Sequence, residues 1–182
     1  MSRAYRHYAE GEYVYFVTWT VVDWLAVFTT HERFTVLIEA LAHGRAEKGL
    51  LVHAYVAMPN HAHLIISSEP TAALPGIVRD LKRHTSRVLT HMLEESRAGT
   101  HLQHFMEAAR RSGRGNEYAL WLEGYHPVAI YTQRFFRQKL DYLHDNPVRK
   151  GYVRRAEDWQ YSSAGDYITG ERGPLELDLL AL

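Results

Sequence analysis

The chain has no cysteine among its 182 residues. That excludes a disulfide scaffold, thiolate zinc sites and any cysteine nucleophile, and it suits a reducing compartment. No apolar run approaches the roughly 18 residues that cross a bilayer, and Met1-Ser2-Arg3 leads into no signal-peptide core. The expected setting is therefore the cytoplasm, without a membrane. Internal repeats and a Pro- or Gly-rich linker are also missing, so the expectation is one domain over residues 1–182 with a core of its own.

Net charge is absent too, with 21 basic and 21 acidic residues. Neutrality argues against a polyanionic partner only until the charges are placed. Residues 1–78 carry 5 basic and 7 acidic side chains, residues 79–155 carry 15 and 8, and residues 156–182 carry 1 and 6. The middle of the chain is a basic block between acidic flanks, which attracts phosphates locally. Within it, Arg79, Lys82, Arg83 and Arg87 fall on one helical stripe, and Arg149, Lys150, Arg154 and Arg155 form a second group. Both are candidates for DNA-backbone contact, which would make affinity salt-dependent without reading sequence.

The most informative stretch is Met58-Pro59-Asn60-His61-Ala62-His63-Leu64-Ile65-Ile66. On an extended strand, residues i and i+2 share a face. His61 and His63 therefore project side by side, and Ala62 leaves no bulk between them, which is half a site for a divalent metal. The second half is expected from Lys139 to Val148. There Tyr142 and Asn146 are one helical turn apart. The Asn146 amide oxygen is the candidate third ligand, and the Tyr142 phenol lies where a metal-bound substrate would sit. Because Pro147 disfavours helical geometry at the residue before it, Asn146 is expected to end or cap that helix. His144 falls on another face and is left out of the site.

Periodicity predicts a strand over 13–22, a helix over 31–48 ended by Gly49, and strands over 52–58 and 61–67 joined by a turn at Pro59-Asn60. A helix over 75–93 follows, then a polar stretch about 94–117 expected to be a flexible loop. A fourth strand is expected at 118–122 and a helix at 131–146. The fold class is α+β, a ferredoxin-like split βαβ sandwich: an antiparallel sheet with helices on one face plus a C-terminal catalytic helix. Trp159, Tyr161 and Ser162-Ser163 are expected to pack. Trp121 fits either the core or a stack on an unpaired base. The extension about 165–182 suits an edge strand or a subunit contact.

The blocks Met58–Ile66, Asp141–Val153 and Asp158–Tyr167, in this order, resemble the REP-associated tyrosine transposases of the single-tyrosine HUH superfamily. The resemblance runs from Tyr13 to about Tyr167. It implies Mg²⁺ or Mn²⁺ on His61, His63 and Asn146, and attack by Tyr142 on a phosphodiester of single-stranded or hairpin DNA. The implied products are a 5′-phosphotyrosine and a free 3′-hydroxyl, and reversal of that step joins strands. Base identity would be read by the 94–116 stretch or the amino terminus. The family contains homodimers that exchange the tyrosine helix as well as monomers, so this point stays open. Two other readings remain: a domesticated protein that binds hairpins without cleavage, and a metal-dependent phosphodiesterase that activates water.

Overall fold

A computed structural model describes residues 13–124 and 126–180. The strands are β1 (Val14–Thr20), β2 (Leu50–Met58), β3 (His61–Ser68) and β4 (Val128–Ile130). The helices are α1 (His31–Lys48), α2 (Leu74–Glu95), α3 (Gly99–Ser112), α4 (Gln133–Arg149) and α5 (Ala164–Ile168). The sheet runs β2-β3-β1-β4, with every pairing antiparallel. This is the α+β split sandwich that the sequence predicts, with α3 added before the last strand.

Strand alternation sorts the side chains into two cores. Val17, Trp19, Ala62, Leu64 and Ile66 face α1 and α2, together with Leu37, Leu41, Ile77 and Leu81. On the other side Phe16, Val56, Met58 and Ile65 meet Phe136, Leu140 and Leu143 of α4. Helix α4 is thus fixed over the face opposite α1 and α2. Each of its buried anchors contributes about 1.5–3 kcal/mol. His61 and His63 follow the parity of Ile65 and so point toward α4. A bulge between Val52 and Ala54 shifts the pleat of β2.

Three elements differ from expectation. The fourth strand lies at Val128–Ile130, whereas Trp121 makes only an isolated bridge to Val21. Trp121 is buried, and its indole N–H donates to Thr85 Oγ1 at 3.0 Å, so it belongs to the core. The stretch expected to be a loop contains α3, because Phe105 and Ala109 bury one turn apart within a mostly polar sequence.

Helix α4 also continues through Pro147 rather than stopping at Asn146. The amides of Lys150 and Gly151 take the carbonyls of Asn146 and Val148, which completes the last turn beyond the proline. The proline forfeits only one helical donor so close to the end. Gly151, at φ 75°, then turns the chain out.

The remaining chain closes the free edge of β2. Ala57 N–H donates to Tyr161 O, and Ser163 N–H to Tyr55 O. Tyr161 stacks on Phe34 at 3.7 Å, and Trp159 donates to Ala57 O, so both pack as expected. Further on, Asp178 N–H donates to Val52 O, and the Asp178 carboxylate accepts from Val52 N–H and Arg45. Among the described residues, no helix is long and apolar enough to cross a membrane.

Candidate active site

The two imidazoles sit side by side at the start of β3, with ring centroids 4.8 Å apart. Each is held at Nδ1. His61 Nδ1 meets Asn60 Oδ1 at 2.7 Å, and His63 Nδ1 meets Thr18 Oγ1 at 2.9 Å. The Asn60 amide is itself oriented, because its Nδ2 donates to Trp24 O. With Asn60 Oδ1 as acceptor, the His61 proton resides on Nδ1 and Nε2 is left as a lone pair. Thr18 lies opposite His63 in the β1–β3 register, so sheet pairing delivers that partner.

Burial keeps both imidazoles neutral. It holds His61 down to about 4, with the Lys150 ammonium adding to the effect and the Asn146 side chain opposing it. Burial, then the neighbouring His61 and Lys139, hold His63 at about 3. Neutral imidazoles are the form that binds metal.

Helix α4 supplies the rest. The Tyr142 ring lies 5.3 Å from His63 and 6.0 Å from Phe16, and the residue is 41% exposed. Phe16 also stacks on His63, at 5.3 Å. Arg149 Cζ stands 5.5 Å from the centre of the Tyr142 ring, and Lys139 Nζ stands 6.0 Å from it. Both cations thus stand over the face of the phenol.

Asn146 is 6% exposed, and its Oδ1 is buried without any hydrogen-bond partner. An orphaned carbonyl oxygen is costly unless something fills it. It lies close enough to His61 to act on that ring's titration. Two neutral imidazoles and one unpartnered oxygen form a donor set that fits a divalent cation. Among the described residues no group of three His, Cys, Asp or Glu could do so instead.

The other candidates are distributed differently. His144 lies apart, with Nε2 2.8 Å from Ser163 Oγ and its pKa lowered by burial to about 4. The Lys150 charge acts on His61, and Arg149 stands over the Tyr142 ring. Arg79 and Arg83 both reach Asp80, while Lys82 donates to Leu122 O. Arg155 pairs with Glu157, whereas Arg87 and Arg154 are exposed. The amino terminus, considered as a base reader, lies outside the described residues. No residue pattern points to Thr18, and Asn60 is legible in the sequence only as a turn residue.

Next to His61 the backbone is strained. Asp23 and Trp24 both adopt left-handed conformations, with φ of 53° and 55°. Such backbone costs about 1–3 kcal/mol per residue for non-glycines and persists only where the surroundings enforce it. Here Val21 N–H donates to Asn60 O, Val22 N–H donates to Leu120 O, and His104 Nδ1 meets Asp23 Oδ2 at 2.6 Å.

Comparison with known proteins agrees with this architecture. The family model described as "Transposase IS200 like" matches residues 12–108, which include the histidine pair and end before α4. A solved REP-associated tyrosine transposase bound to a REP hairpin is 21% identical. The match covers 100% of this chain and 93% of that one, with a TM-score of 0.61. A crystal structure from Deinococcus radiodurans R1, provisionally described as a transposase, is 21% identical over 80% of this chain and 97% of that one, with a TM-score of 0.47. No curated protein matches the chain.

Proposed function

Because the chain belongs to the IS200-like transposase family, we propose that it nicks and rejoins single-stranded DNA at repeat hairpins, with Tyr142 as nucleophile. One observation carries the reading: Tyr142 meets His63 at 5.3 Å within a single chain, beside the unpartnered Asn146 Oδ1. His61, His63 and Asn146 would hold Mg²⁺ or Mn²⁺, and when bound the cation would withdraw charge from a phosphate oxygen. The resemblance and the hairpin-bound fold relative support hairpin DNA as the substrate.

Tyr142 Oη gives up its proton to solvent as it bonds to phosphorus, the P–O3′ bond breaks, and the departing oxygen takes a proton from solvent to become a 3′-hydroxyl. The 5′-phosphotyrosine retains the bond energy, so attack by a 3′-hydroxyl reverses the step without a further energy source. Lys139 and Arg149 stabilise the phenolate and the phosphate. Lys150 adds positive charge at the histidine end.

The test is incubation with labelled hairpin oligonucleotides and Mn²⁺ or Mg²⁺, followed by denaturing electrophoresis. A protein–DNA band that requires the cation supports the reading. Turnover to a free 5′-phosphate without any covalent band would favour the water-using phosphodiesterase. Tight binding with neither product would favour a hairpin-binding protein.

A further inference from the structure

We propose that Trp24 is a stacking platform for the base of the nucleotide that departs with the 3′-hydroxyl. Trp24 is 58% exposed, although a residue of its size ordinarily buries. Its ring stands edge-on to His61 at 5.6 Å. Four rings thus form a row in which Tyr142, His63, His61 and Trp24 are successive neighbours at 5.3, 4.8 and 5.6 Å. Tyr142 occupies one end of the row and Trp24 the other.

The position of Trp24 is built rather than incidental. Two consecutive left-handed non-glycine residues put it there, and the Asn60 amide, the Asn60 carbonyl and His104 hold that turn in place. The clamp does not bury the ring. An aromatic face held open beside a phosphate-binding centre suits an unpaired base, whose π-face any aromatic can receive.

The direction follows from the proposed nucleophile and rests on that reading. In an in-line displacement the leaving oxygen departs opposite the attacking phenol. Across the histidine pair from Tyr142, that side belongs to the nucleotide just 5′ of the scissile phosphate.

Hairpin oligonucleotides carrying a single abasic position are bound to wild type, Trp24→Ala and Trp24→Phe, with affinity read by anisotropy and adduct by denaturing electrophoresis. One abasic position on the 5′ side should weaken wild-type binding about 5- to 150-fold. Trp24→Ala should bind the intact hairpin as weakly as wild type binds the abasic one, with no further penalty from the lesion. Trp24→Phe should fall between. An abasic penalty that persists in Trp24→Ala, or none at any 5′ position in wild type, overturns the proposal. Failure of wild type to form any adduct would instead strike the nucleophile assignment, while the binding comparison still judges Trp24. The wild-type abasic series also stands should Trp24→Ala fold poorly.

Discussion

Tyr142 and His63 come from a helix and a strand far apart in the chain, yet their rings meet at 5.3 Å. The meeting is enforced by Phe136, Leu140 and Leu143, which bury against Phe16, Val56 and Ile65 on the same sheet face. Removing the Tyr142 hydroxyl leaves that packing intact. Tyr142→Phe should therefore abolish the covalent adduct while changing hairpin affinity less than about three-fold, since one lost polar contact at an exposed position is worth at most about 0.5 kcal/mol. Residual adduct in this variant would move the nucleophile to another residue.

Asn60 orients His61 without standing in the donor set. Asn60→Ala removes the acceptor at Nδ1, and loss of such a supporting contact costs about 10–100-fold in metal affinity. Titration calorimetry with Mn²⁺ should show that loss. In wild type, Mn²⁺ at 100 times its Kd should stabilise the fold by about 2.7 kcal/mol. The double variant of His61 and His63 to Ala should show no such stabilisation, and equal stabilisation would place the cation elsewhere.

Much of this site was legible from residue spacing, and the reasons are local. The x in His61-x-His63 makes the two rings share a face wherever a strand forms, and Tyr142 and Asn146 are neighbours on any helix. What spacing does not carry is pairing between distant segments. Thr18 reaches His63 only through the β1–β3 register, and Trp24 reaches His61 only through a strained turn. The fourth strand was misplaced because Tyr118 to Leu122 has the β-rich composition, while Val128–Ile130 is only three residues long and depends on its pairing with β1. Helix α3 was hidden because two buried positions in a polar segment make a weak period.

The metal-free protein should lose stability in mild acid. Burial holds His61 and His144 at about 4 and His63 at about 3, whereas an unfolded chain protonates each near ~6.5. Between those values the unfolded state binds more protons, so stability falls as pH falls. Each histidine contributes up to about 1.4 kcal/mol per pH unit across that window. Thermal melts from pH 7 to pH 4.5 should show a steep decline that flattens in His144→Gln. A melting temperature unchanged over this range would contradict the burial of these rings.

Asp178 ties the carboxyl-terminal segment to the edge of β2. Its carboxylate accepts from Arg45 Nε at 2.8 Å and from Val52 N–H at 2.9 Å, and it holds the Arg45 guanidinium above its usual range. Both side chains are about one-fifth exposed, so solvent weakens the pair. Asp178→Ala should destabilise by about 1.5–3 kcal/mol, the value of a charge-assisted hydrogen bond. Urea melts would measure it. Adduct formation well below the melting temperature should be unchanged, because Asp178 bonds to Arg45 and Val52, which stand outside the Tyr142–histidine site.

Salt dependence separates the basic residues that face the site from those engaged elsewhere. Lys139, Arg149 and Lys150 surround Tyr142 and the histidines, whereas Arg79 and Arg83 share Asp80 and Lys82 holds Leu122 O. Each phosphate contact to a single strand contributes about −0.7 to the slope of log affinity against log salt. Neutralising the first three together should make that slope shallower by about 2. Neutralising Arg79, Lys82 and Arg83 should change it by less than one such contact, because α2 lies on the opposite face of the sheet from α4. Anisotropy titrations between 50 and 300 mM salt would decide it. A larger loss of slope from the α2 group would mean that the DNA also wraps the other face, and that Asp80 releases its arginines to it.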